Sequence, residues 1–223
     1  MLLEIPELLS ADEVASVVNA LSRAAFVDGR LTAGDVAAGV KRNEELDRGS
    51  EVRDVLARAL VGSLYRSPLF RGAALPHRIS TPLVARYQKG MAYGDHVDDP
   101  VMGEGERYRS DISVTIFLSA PESYDGGELV IRTSFGEQRV KLGAGDAVIY
   151  PSSSLHRVAE VTGGERLVGL CWVQSLVRDP AQRELLFELG QARERLLADT
   201  QGRTEAEWVD RSYVNLLRMW SEL

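Results

Sequence analysis

Between residues 111 and 173 the chain repeats one unit, a short apolar strand followed by a turn, and this constrains the fold more than any other feature. In Asp111-Ile112-Ser113-Val114-Thr115-Ile116-Phe117-Leu118, four aliphatics share one face of an extended segment. Gly126-Gly127 precedes the strand Glu128-Leu129-Val130-Ile131. Phe135-Gly136-Glu137 predicts a hairpin turn into Gln138-Arg139-Val140-Lys141-Leu142. Gly143-Ala144-Gly145-Asp146 predicts another turn, before Ala147-Val148-Ile149-Tyr150. Upstream, Leu83, Ala85 and Tyr87 alternate with polar neighbours. Short strands at this spacing predict a β-sandwich or barrel. A jelly-roll, or double-stranded β-helix, closes the edges and leaves a cavity between two sheets.

Helical patterns flank this core, so the class expected is α+β. Ser10 with Glu13 forms a capping box ahead of Val14, Val17, Val18 and Leu21, and a second helix is predicted over about Ser50 to Arg66. Its apolar stripe reads Val52, Val55, Leu56, Ala59 and Leu60. Between the two lies a polar, glycine-punctuated stretch from Asp28 to Glu45, read as a short strand or a loop over the active site. Lys41 and Asn43 in it could touch substrate, but the reading favoured is solvated loop residues. Asp179-Pro180 caps a helix through Leu185, Leu186, Leu189, Ala192 and Leu196. Thr204 with Glu207 caps another, ending in Leu216, Leu217 and Trp220. The expected division is residues 1–76, N-terminal helices packed on the core; residues 77–177, the jelly-roll; and residues 178–223, a helical extension.

The chemistry centres on Tyr93-Gly94-Asp95-His96-Val97-Asp98. In a strand, Val97 points one way while His96 and Asp98 point the other, so an imidazole nitrogen and a carboxylate oxygen can reach one ion. His156 follows an apolar strand and the turn Pro151-Ser152-Ser153-Ser154, and can supply a third ligand. Two histidines and a carboxylate on one face leave coordination sites open, the arrangement of non-haem Fe(II) oxygenases. Arg166 precedes the apolar strand Leu167-Val168-Gly169-Leu170-Cys171-Trp172-Val173. Its guanidinium stays charged and can bind a carboxylate in a bidentate fork.

The blocks Arg86-Tyr87-Gln88, Tyr93 to Asp98, Ser123-Tyr124-Asp125-Gly126-Gly127-Glu128-Leu129, Tyr150 to His156 and Trp172-Val173-Gln174-Ser175 resemble the bacterial PKHD-type hydroxylases. These form a branch, with the prolyl and lysyl hydroxylases, of the Fe(II)/2-oxoglutarate dioxygenases. The resemblance implies Fe(II) held by His96, Asp98 and His156, with 2-oxoglutarate as cosubstrate and O2 as oxidant; L-ascorbate (vitamin C) dependence stays open. It places Arg166 on the far carboxylate of 2-oxoglutarate and Tyr87 beside the cosubstrate. Some relatives carry a tyrosine where this chain has Phe117, which cannot donate a hydrogen bond, so Thr115 is the substitute considered. In related halogenases a small residue replaces the carboxylate, so Asp98 favours hydroxylation. The reaction implied hydroxylates a C–H bond of an amino-acid-like, peptidyl or peptide-derived substrate, with release of succinate and CO2. The alternative is a cupin-like metal-binding isomerase or small-molecule sensor without oxygenase activity.

Composition sets the remaining bounds. A net charge of −7 lacks the basic footprint of a nucleic-acid binder. The single cysteine, Cys171, lies in an apolar strand and reads as core; with no internal disulfide possible, a reducing, cytoplasmic setting is expected. No stretch approaches a membrane span. His77 reads as structural and Tyr93 as packing beside the motif. The C-terminal aromatics read as packing or as a homodimer contact.

Overall fold

A computed structural model of the chain describes residues 1–32, 38–103, 105–199 and 204–223. From the N-terminus run β1 (Leu3–Ile5), α1 (Ala11–Leu21), β2 (Phe26–Asp28), β3 (Lys41–Arg42), β4 (Glu44–Leu46), α2 (Arg53–Arg66), α3 (Pro68–Ala74) and β5 (Pro76–Ile79). Next come β6 (Leu83–Gln88), β7 (Ala92–His96), β8 (Val101–Met102), β9 (Tyr108–Arg109), β10 (Ile112–Phe117) and β11 (Tyr124–Gly126). Then follow β12 (Leu129–Thr133), β13 (Gly136–Val140), β14 (Ala147–Pro151), β15 (His156–Val158), β16 (Val161–Ser175), α4 (Pro180–Asp199) and α5 (Thr204–Trp220).

Two antiparallel sheets face each other. The larger runs β1-β14-β10-β16-β6-β4-β2, with β5 and β11 also on β16; the smaller runs β13-β12-β15-β7-β3. The long strand β16 is the hub, because β10, β6, β5 and β11 all pair with it. Period-2 alternation explains why every residue of β10 is buried. Ile112, Val114, Ile116 and Leu118 pack outward against Val17 and Leu21 of α1 and Leu56, Leu60 and Leu64 of α2. Phe117 points inward, with Val148, Tyr150 and Val168 of its own sheet and Leu129 and Ile131 of the smaller one. Ser113 and Thr115 share that inward face and line the cavity between the sheets.

The Ser10–Glu13 capping box forms as expected, and Asp179 Oδ1 accepts from the backbone N–H of Ala181 and Gln182 at the start of α4. The stripe on α2 differs from the expected one, since Val55 is 57% exposed and the buried line is Leu56, Leu60 and Leu64. A helix turns about 100° per residue, so only one of two adjacent apolar positions faces the sheet squarely. The N-terminal residues add strands as well as helices: β1 extends one edge of the large sheet, β4 and β2 extend the other, and β3 joins the small sheet. The polar stretch from residue 28 to 45 therefore gives Asp28, Lys41, Arg42, Glu44 and Glu45 to the two sheets, with a 3-10 turn over Gly29–Thr32, while residues 33–37 lie outside the described residues. After β16, Leu75, Val177 and Leu186 form a third small core with Tyr213, Leu216, Leu217 and Trp220. Among the described residues no helix is long and apolar enough to cross a membrane. Cys171 is a free, buried thiol whose pKa burial pushes up to about 12, so it is packing and not a nucleophile.

Candidate metal centre and its cavity

His96 ends β7 and His156 opens β15, and the two are directly opposite each other in the ladder between those strands. Asp98 follows β7 by two residues. Each of the three offers a ligand atom, and these atoms all lie within 4.8 Å of one another. The Nε2 atoms of both histidines are 3.9 Å from Asp98 Oδ1. Atoms this close could converge on one ion, which His96, Asp98 and His156 would hold. Pairing in the ladder delivers the two imidazoles, and the residues after β7 deliver the carboxylate.

The surroundings fix the chemistry of each ligand. His96 Nδ1 is 2.9 Å from the Gly94 carbonyl oxygen, and His156 Nδ1 is 3.0 Å from that of Ser154. A carbonyl only accepts, so each ring carries a proton on Nδ1 and turns its Nε2 toward Asp98. Burial first, and the adjacent His156 second, push the His96 pKa down to about 4, which keeps the ring neutral and able to ligate at pH 7. Tyr93 stacks on His96 with ring centroids 3.6 Å apart and planes 12° apart, which holds the imidazole in place. This agrees with reading Tyr93 as packing beside the motif.

Asp98 is held by two serines that the sequence did not single out. Ser113 Oγ donates to Asp98 Oδ2 at 2.5 Å, and Ser152 Oγ lies 2.8 Å from Ser113 Oγ. Ser113 has one hydroxyl hydrogen and a carboxylate only accepts, so Ser152 donates to Ser113 and Ser113 to Asp98. Both serines are buried. Ser113 could have been found by alternation, since it shares the inward face with Thr115, but its meeting with Asp98 depends on how the sheets close.

The same cavity, about 840 Å³ in volume, is lined by the three ligand residues, Tyr87, Thr115, Tyr150 and Arg166. Arg166 is 1% exposed, and among the described residues its Nε and Nη1 have no hydrogen-bond partner. Its guanidinium carbon stands 5.1 Å from the centre of the Tyr87 ring and 5.7 Å from that of Phe117. Burial lowers the Arg166 pKa, while Tyr87 and Tyr124 counter that shift. A guanidinium nevertheless keeps its charge at neutral pH. Tyr87 pairs directly with Arg166 across β6 and β16, and burial pushes its phenol up to about 12. Thr115 is buried opposite Leu170 and Val148, beside the Tyr150 phenol. Burial, with the Asp98 charge second, keeps the Tyr150 phenol neutral. His77 is exposed on β5 and does not line the cavity.

Lys41 and Asn43 are not solvated. They are 7% and 4% exposed and line the cavity with Glu45 and Thr32. Lys41 Nζ pairs with Glu45 Oε1 at 2.5 Å, and Thr32 Oγ1 donates to Glu45 Oε2 at 2.6 Å. A polar stretch reads as loop because periodicity records apolar faces; here the polar side chains point into a polar cavity. The hairpin of β8 and β9 borders the same space through Met102, Gly103, Gly105 and Glu106, while Glu104 lies outside the described residues.

Comparison with known proteins agrees with this geometry. The 2OG-Fe(II) oxygenase superfamily matches residues 82–174, and the PKHD-type hydroxylase C-terminal domain matches residues 180–222. A PKHD-type hydroxylase of Thioalkalivibrio sulfidiphilus is 53% identical over 224 residues, covering 100% of both chains. The chain belongs to the PKHD-type hydroxylases, which makes it an Fe(II)/2-oxoglutarate-dependent hydroxylase. Among solved structures, a Pseudomonas putida prolyl-4-hydroxylase shares the fold with TM-score 0.56 and 21% identity, over 78% of this chain and 92% of that one. HygX of Streptomyces hygroscopicus, solved with nickel, 2-oxoglutarate and hygromycin B bound, aligns with TM-score 0.53 and 16% identity, over 79% of this chain and 84% of that one.

Proposed function

We propose that this hydroxylase holds Fe(II) on His96, Asp98 and His156 and hydroxylates a C–H bond of an amino-acid-like, peptidyl or peptide-derived substrate. The observation that carries the reading is a buried guanidinium whose Nε and Nη1 have no partner among the described residues, in the same cavity as a two-histidine, one-carboxylate set. Fe(II) with 2-oxoglutarate and O2 supplies the oxidising chemistry when bound, with one oxygen atom leaving in succinate as CO2 departs and the other entering the substrate.

The residues have separate tasks. Arg166 takes the distal carboxylate of 2-oxoglutarate through a charged, potentially bidentate contact. Tyr87 and Thr115 line the path of the cosubstrate, and the Tyr124 phenol lies close enough to the guanidinium to favour its charge. The Ser152–Ser113 chain keeps Asp98 aimed. His96, kept neutral by burial, presents its Nε2 without a deprotonation step. The buried walls of the cavity keep bulk water from the reacting carbon. Prolyl-4-hydroxylase among the solved neighbours supports a peptidyl substrate, and HygX supports a smaller one. The core of residues 77–177 holds the ligands and Arg166, while residues 1–76 contribute Lys41, Asn43 and Glu45 to the cavity; residues 178–223 pack behind them. The free Cys171 thiol fits a reducing, cytoplasmic setting.

The test is succinate release from 2-oxoglutarate by the purified protein. It is expected to require added Fe(II) and to be abolished in His96→Ala; turnover that persists without metal or in that variant would reject the assignment.

A further inference from the structure

One wall of the cavity has a role that the metal and cosubstrate do not use. Lys41, Asn43 and Glu45 follow one another at every second residue along β3 and β4, so all three face inward. The outer two are satisfied. Glu45 receives Lys41 Nζ on one oxygen and the Thr32 hydroxyl on the other, and Lys41 Nζ also reaches Thr32 Oγ1 at 3.1 Å. Asn43 between them is not satisfied: among the described residues neither its Oδ1 nor its Nδ2 has a hydrogen-bond partner, although the residue is 4% exposed. It approaches the Tyr87 hydroxyl without completing a bond.

The position is built. The carboxamide lies over Gly29, whose N–H donates to the Asn43 carbonyl at 2.9 Å. A Cβ at Gly29 would stand 2.0 Å from Asn43 Oδ1, so only glycine leaves the carboxamide where it is. A buried carboxamide with a free donor and a free acceptor side by side is costly unless a partner supplies both complements.

We infer that Asn43 is a substrate-recognition residue, whose carboxamide pairs with the backbone N–H and C=O of one residue in an extended peptide segment. In extended backbone the N–H and C=O of one residue point to the same side, which is the pairing that a strand edge offers. Asn43 presents the matching acceptor and donor. A free amino acid presents an ammonium and a carboxylate in the same place, but the neighbouring charges are already paired with each other, so its charges would be buried without counter-ions. The neutral peptide group is the better match. This inference rests on the oxygenase reading above, because it places the substrate in the cavity that takes 2-oxoglutarate.

The test uses the full chain loaded with Zn(II) in place of iron and saturated with 2-oxoglutarate, so that nothing turns over. The probes are acetyl-Ala-Pro-Ala-amide and acetyl-Ala-Lys-Ala-amide, with free proline and lysine for comparison. At least one capped tripeptide is expected to bind and to shift the side-chain amide NMR signals that vanish in Asn43→Leu. In Asn43→Leu, and in Asn43→Ala should the leucine variant not fold, its Kd is expected to rise about tenfold or more while the Kd for 2-oxoglutarate is unchanged. Tripeptide binding that is absent in the wild type, or equal in the variants, would overturn the inference. So would a loss of 2-oxoglutarate affinity in the variants, which would put Asn43 in the cosubstrate site, or an Asn43-dependent preference for the free amino acids. A wild-type protein that binds no 2-oxoglutarate would instead overturn the oxygenase reading itself.

Discussion

Arg166 and Asp98 show how single side chains in one cavity are prepared for ligands. Arg166 keeps its charge in a pocket of aromatic rings with two nitrogens unpaired, a cost that an incoming carboxylate offsets. Arg166→Ala is expected to weaken 2-oxoglutarate by about 1.5–3 kcal/mol, the range for a charged hydrogen bond. That corresponds to roughly a 10- to 150-fold rise in Kd, measured by calorimetry on the metal-loaded protein, and an unchanged Kd would remove Arg166 from the site. Asp98 depends on the short hydrogen bond from Ser113. Ser113→Ala is expected to lower metal affinity roughly 10- to 100-fold, as losses of ligand-orienting partners do. Metal titration against a competing chelator would check this, and wild-type affinity would mean that the serine chain is only packing.

At the scale of strands and turns, the Gly126-Gly127 pair determines where Arg166 lies. Gly127 has φ +68, and a Cβ there would meet Val161 Cγ2 at 2.9 Å, Arg166 Cδ at 3.1 Å and Tyr124 Cε2 at 3.1 Å. Gly127→Ala is expected to destabilise the fold by about 1–3 kcal/mol and to raise the KM for 2-oxoglutarate by displacing Arg166. Gly136 has φ +121 but open space around its Cβ position, so Gly136→Ala is expected to cost stability without moving that KM. Denaturant melts paired with initial rates separate the two, and equal KM changes would count against the displacement. These elements differ in how readable they were. β10 and α1 were legible because alternation and capping chemistry are local, and the two histidines with Asp98 were legible because ligand spacing is local in part. β2, β3 and β4 were not, since strands of two or three residues carry no period. For the same reason the sequence favoured solvent over substrate for Lys41 and Asn43 and did not single out Glu45, their inward direction being set by pairing with β6 and β7. The link between Ser113 and Asp98 needed the closure of one sheet on the other, which no stretch of sequence records.

For the whole molecule, the strand that gathers the large sheet lies near the end of the sequence. β16 pairs with strands that begin at residues 76, 83, 112 and 124, so its own ladders reach as far back as Pro76 opposite Ser175, and the same sheet sets Leu3 opposite Ile149. A ribosome making this chain therefore extrudes His96, Asp98 and His156, the proposed metal ligands, before it extrudes the strand that completes the scaffold. Chains stalled at residue 160 are expected to be cut rapidly by protease even with iron present, whereas chains released at full length are not; resistance in the stalled chains would show that the metal set assembles without β16. Iron acquisition then belongs to the finished polypeptide rather than to the nascent one, and the supply of the ion is separated in time from translation.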